Sequence, residues 1–237
     1  MTPLSLDLAR RIVREACEDA GVTLVTPDSA ELLRLAVHLS AAAASSLTLP
    51  EVRAEVSVYV PRLVSDVIDL LPSAIGGVVD LDAPAVIVSQ TAWDDAALLI
   101  GTVAHELNHD RRDDAVRARA LVPVVGSALW AVTYLAHPMV RAWEEGVSYH
   151  ADLVVLVVLR GVDPITAGNA VRESLKHYRL DAAALALAND AIDSAVASLL
   201  AGELPGAGTT IHAMLRRLVA AGWEPPAQWA RAIGGEA

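Results

Sequence analysis

The chain has little of several things, and each shortage removes a class of explanation. It has one cysteine, Cys17, so no internal disulfide framework is available, and a spectator thiol packed in or near the core is expected. Phenylalanine is absent, and Lys176 is the single lysine, so arginine carries nearly all the positive charge. That usage matches an Ala/Arg-rich coding bias and carries no functional signal. No basic patch stands out, and the net charge is −11, which argues against a nucleic-acid partner. The start, Met1 to Asp7, lacks a basic stretch followed by an apolar one, so no secretory signal is expected and the cytoplasm is the default location. The longest apolar run, Leu121 to Ala136, is interrupted by Pro123 and Gly126 and is shorter than the roughly 20 residues of a membrane span. It is expected to form a buried helix.

What is present is aliphatic. The 237 residues are 54% hydrophobic, which supplies a sizeable core. Residues 4–20 repeat Leu4, Leu8, Ile12 and Ala16 at helical spacing, and Gly21 can end that helix. Val22 to Val25 is a short extended link. A second helix is expected from Pro27 to about Ala44, containing His38. Val52 to Val60 is mixed in pattern and is expected to be helical, followed by a helix over 63–71. Residues 72–84, with Gly76, Gly77 and two prolines, are expected to be loop or hairpin. Val78 to Leu81 is the expected pairing partner of a strand at residues 85–89.

The central feature is His105-Glu106-Leu107-Asn108-His109. On a helix, residues four apart share a face, so His105 and His109 can present two imidazoles to one ion, a donor pair suited to Zn²⁺. Glu106 then stands beside the open coordination position, where a carboxylate can take a proton from water. The surroundings fit. Thr91 is a candidate N-cap, Asp94 and Asp95 would occupy the first turn, and Ala96 to Ala104 is apolar on nearly every side, as in a buried helix. Buried histidines and a buried carboxylate require partners, and a metal supplies them. The charged run Arg111 to Asp114 is expected to continue the helix into solvent.

A catalytic zinc site needs a third protein ligand. Downstream lies Trp143-Glu144-Glu145-Gly146-Val147-Ser148-Tyr149-His150-Ala151-Asp152. Here the sequence resembles the gluzincin superfamily of zinc metallopeptidases, over roughly residues 85–165. In that superfamily a later helix brings a glutamate in a Glu-Gly-x-small context, and Glu145-Gly146-Val147-Ser148 fits it. The resemblance implies that His105, His109 and Glu145 bind Zn²⁺, that Glu106 is the catalytic base, and that a strand near the motif, here residues 85–89, binds extended substrate by β-addition. Ala151-Asp152 also looks like the Ala-Asp helix of membrane-embedded metallopeptidases that include the prenyl-protein proteases, but Ser148 stands where that family has its ligand glutamate. Glu144 and Asp152 remain rivals of Glu145. On a helix Glu145, Ser148 and Asp152 share a face, so Asp152 could instead orient a metal-bound histidine. A developing oxyanion needs a further donor. Tyr149 and His150 are nearest in sequence, with Tyr134 and His137 as looser candidates.

The remainder is helical: Leu153 to Leu159 is apolar all round, helices are expected over 166–178, 182–200 and 211–219, and a tail with Trp223 and Trp229 is expected to pack back on the body. His177 and His212 are read as structural or surface residues. The expectation is a mainly α protein with a small β-sheet, a zincin-like catalytic core over 76–165, and helical regions at 1–75 and 166–237, all within one compact unit. The expected activity is zinc-dependent hydrolysis of a peptide or protein substrate. The alternatives are a non-catalytic zincin-fold assembly protein with a structural metal and a membrane-associated peptidase. Oligomeric state is open.

Overall fold

The structure, a computed structural model, describes residues 3–28, 58–60, 84–120, 129–130, 133–134, 136–178, 180–206 and 210–234. The expected helix over 27–44 beyond its first two residues, with His38, the helix over 63–71, the loop or hairpin over 72–83, the strand at 78–81, and most of the 121–136 run lie outside these residues.

Helix α1, Leu6–Ala20, starts where the Ser5 side chain accepts from the Leu8 amide and stops at Gly21, whose φ of 65° is left-handed and suits a residue without a Cβ. It buries Ala9, Ile12, Val13 and Cys17. Burial pushes the Cys17 thiol up to about 12, helped by Asp110 and Glu18, so it is an inert core residue. The chain then enters a three-stranded sheet of order β1-β3-β2. Strand β3, Ala85–Ile87, lies in the middle, parallel to β1, Thr23–Val25, and antiparallel to β2, Val58–Val60. Two expectations are corrected here. Val58–Val60 is a strand rather than helix. Residues 85–87 have both edges hydrogen-bonded, so they are not a free edge for an added peptide; among the described residues β1 and β2 are the outer strands.

After the sheet the chain makes two helices where one capped by Thr91 was expected. Ser89 caps the short α2, Gln90–Trp93, and Asp95 caps α3, Ala96–Arg117, by accepting from the Leu98 amide at 2.9 Å. Asp95 also accepts from Arg160 at 2.7 Å, which tethers the start of α3 to the end of the next long helix. That helix, α4, runs over Pro138–Val154 and continues into one π turn, Val155–Leu159. It is followed by α5 (Pro164–Leu175), a 3₁₀ turn (Lys176–Tyr178), α6 (Ala182–Leu200), α7 (Thr210–Ala220) and α8 (Ala227–Gly234). The described chain is thus mainly helical with one small sheet.

Helix α3 is the axis of the molecule. Leu99, Ile100, Val103 and Ala104 are fully buried, with α1 and α7 on one side and α4 on another. Helix α4 in turn lies along α6. Gly146 makes that approach possible: a Cβ there would stand 3.1 Å from the Ala188 Cα and 3.2 Å from its carbonyl oxygen. Trp223 and Trp229 are buried, so the tail packs back as expected. The core draws on α1, α3, α4, α6 and α7 together, so it crosses both expected region boundaries.

Candidate metal centre

His105 and His109 leave α3 on the side that faces α4, and Glu145 meets them from α4. The His105 Nε2 is 3.4 Å from Glu145 Oε2, and the His109 Nε2 is 3.6 Å from Glu145 Oε1. All three side chains are buried, Glu145 to 1% exposure. One ligand atom from each lies within 4.8 Å of the others, so the trio could hold a metal ion. Tetrahedral ligands about 2.0–2.2 Å from zinc are about 3.3 Å apart, close to the two separations given.

The proton positions sharpen this fit. The Asp152 carboxylate lies 2.8 Å from His105 Nδ1, so that nitrogen donates and Nε2 turns its lone pair to Glu145. A lone pair facing a buried carboxylate is repulsive unless a proton or a cation lies between them. Glu145 Oε2 is buried, and the group turned to it is His105 Nε2 at 3.4 Å. In the metal-free protein the proton fills the gap. Burial opposes charge on His105, but Asp152 first, then Glu145 and Glu106, raise its pKa well above the ordinary value. Burial likewise opposes charge on Glu145, but the hydrogen bond and charge of His105, with His109 and Tyr134, hold its carboxyl at about 2.

A surrounding shell fixes the ligands. Tyr134 donates to Glu145 Oε1 and stacks on Trp130 at 5.5 Å between ring centroids. Glu144 is turned the other way along α4. Its Oε2 is 3.6 Å from His109 Nδ1, and its carboxylate accepts from Arg112. Arg112 also donates to the Glu144 carbonyl at 3.0 Å and lies 4.8 Å from the Trp143 ring. Of the three acidic candidates, Glu145 alone stands between both Nε2 atoms. Asp152 and Glu144 occupy the Nδ1 sides.

A cleft of about 430 Å³ reaches this centre and is lined by His105, Glu106, Tyr149, Asp152, Tyr178 and residues of the α2 region. Glu106 therefore lies beside His105 at the open side. The Tyr149 ring meets His105 edge-on at 5.0 Å, and its hydroxyl is 3.5 Å from the Tyr178 hydroxyl. Burial, with Asp152 and Glu145, pushes the Tyr149 phenol up to about 12. Burial and Glu145 raise that of Tyr178 further. Both phenols are therefore neutral donors near neutral pH.

The other candidates are elsewhere. The His150 Nε2 lies 3.1 Å from the Ala191 carbonyl, on the α6 side, and His137 is an exposed residue at the start of α4. Two participants were missed. Tyr178 arrives from a 3₁₀ turn 29 residues beyond Tyr149, and no local pattern marks it. Arg112 was placed in a solvated run, yet it and the fully buried Asp113 face the protein, because α3 stays packed beyond its second histidine. No protein-family model matches the chain, and no curated protein or solved structure matches it.

Proposed function

We propose that this protein is a zinc-dependent peptidase with a zincin-like core, holding zinc through His105, His109 and Glu145. The observation that carries the reading is the convergence of two Nε2 atoms on the two oxygens of one buried glutamate, next to a cleft that Glu106 lines. Zinc held there would serve as a Lewis acid, polarising a scissile carbonyl and acidifying water. Glu106 takes the proton from the attacking water and returns it to the leaving amine. Tyr149, with Tyr178 at its hydroxyl, donates to the oxygen on which negative charge develops, and their raised pKa values keep those protons in place. Asp152 holds the His105 imidazole from its Nδ1 side, while Glu144 faces His109 Nδ1 at 3.6 Å.

Burial of all three ligands favours a second reading, a closed structural metal. Glu106→Gln separates the two. With zinc content unchanged, proteolysis of a denatured protein substrate should fall by at least about 100-fold, the scale of a lost general base. Full proteolysis in that variant overturns the mechanism, and no proteolysis in the zinc-loaded native protein favours the structural metal.

A further inference from the structure

A second pocket, of about 160 Å³, adjoins the cleft and shares Leu98, Tyr149 and Asp152 with it. Its walls are mostly apolar: Leu98 and Gly101 of α3, Val155 and Leu156 of the π turn, and Val171 of α5. Arg160 stands among the lining residues, but its charge is engaged by Asp95. Two local features shape its walls. Gly101 lines it without a side chain and lets Val155 come close, since a Cβ there would stand 3.2 Å from Val155 Cγ2. The π turn carries an extra residue directly after α4 and rotates the side chains that follow Asp152; such turns are frequent at functional sites.

We infer that this pocket receives an apolar side chain, of leucine to phenylalanine size, from the peptide residue flanking the cleaved bond, with Gly101, Leu156 and Ala170 setting its capacity. The inference rests on the peptidase reading of the cleft. The size follows from the volume, since a cavity of about 150 Å³ accommodates benzene. The position follows from Tyr149, whose ring walls both spaces and lies 5.0 Å from His105, so an occupant lies one residue from the reacting centre.

The test has two arms on the full chain. The zinc-loaded protein is given a peptide library varied on both sides of each potential cleavage point. Separately, N-acetyl-leucinamide, with N-acetyl-glycinamide as control, is titrated into methyl-labelled protein while the Leu98, Val155, Leu156 and Val171 methyls are followed by NMR. Both arms are repeated with Ala170→Phe, an exposed rim position that the fold should tolerate, and with Gly101→Ala. The expected result is cleavage preferring Leu, Met or Phe at one flanking position. That preference over alanine should fall at least about tenfold in Ala170→Phe, the scale of a lost methylene contact or more. The leucinamide should shift those methyls in the native protein and not in the variant. Cleavage without side-chain preference, a preference unchanged in both variants, or still methyls would overturn the pocket. No cleavage of any peptide with the methyl shifts intact would instead remove the peptidase reading and leave a site for apolar groups.

Discussion

The two ring nitrogens of His105 have different duties, and the difference decides what single substitutions should do. Nδ1 donates to Asp152 at 2.8 Å, which leaves Nε2 as the nitrogen whose proton a metal would displace. Asp152→Ala removes the partner without touching a ligand. Zinc should still bind at one per chain, but about 10- to 100-fold more weakly in competition with a chromophoric chelator, the usual cost of losing such a partner. Glu145→Ala removes the carboxylate that faces both Nε2 atoms and should abolish stoichiometric binding. Zinc retained in Glu145→Ala would move the third ligand to Glu144 or Asp152; unchanged affinity in Asp152→Ala would remove its orienting role. This assignment was partly open to sequence reasoning. Helical steps of three and four placed Asp152 on the face of Glu145, and that periodicity survives in α4 because the π turn begins only at Val155. The choice between Glu144 and Glu145 was not, since adjacent residues point about 100° apart and only the position of α3 says which direction is inward.

Gly146 shows how an element serves the site. In an exposed helix Gly→Ala would gain about 1 kcal/mol from propensity. Here the new methyl would meet the backbone of Ala188, 3.1 Å to its Cα, and backbone cannot swing aside as a side chain can. Overpacking of about 1–3 kcal/mol should win, and win more clearly for Gly146→Val. We expect Gly146→Val to lower the melting temperature by about 2–4 °C per kcal/mol, and to weaken zinc binding because Glu145 rides on the same turn. A melting temperature unchanged or raised would mean that α4 and α6 do not pack this closely. Elements with long helical repeats were legible from sequence: α6 was expected at its bounds and α1 within two residues of its own. The strands were harder. Three residues such as Val58–Val60 offer too few positions for a period to declare itself, and the preceding Arg53, Ala54 and Glu55 favour helix. The start of α3 was misassigned for a different reason: Ser89, Thr91 and Asp95 are all competent caps, and the competition is settled by where the chain turns, not by residue type.

At the scale of the molecule, one ion or one proton must sit between α3 and α4, and this makes stability depend on pH in a way that zinc should change. Among the described residues α6 alone is long and apolar enough to cross a membrane, and its Ala188 and Ile192 are buried in the face along which α4 packs. In the metal-free protein Glu145 has a lowered pKa, so its contribution is present above about 4.5 and is lost as pH falls toward about 2. His105 has a raised pKa, so its contribution is complete below about 6.5 and is lost as pH rises through the folded value. Metal-free protein should therefore be most stable between those limits. It should then lose up to about 1.4 kcal/mol per pH unit on the alkaline side, the slope of one proton released. Zinc bound there would replace that proton and take the neutral imidazole, so in the loaded protein the alkaline decline should vanish while the acid one steepens. At free zinc about 1,000 times the dissociation constant the stabilisation is about 4 kcal/mol. Melting curves from pH 2 to 9, with chelator and with zinc, test this. Parallel profiles in the two conditions would mean that no metal competes with a proton at His105, and parallel profiles that both lack the alkaline decline would mean that the histidine is neutral without one.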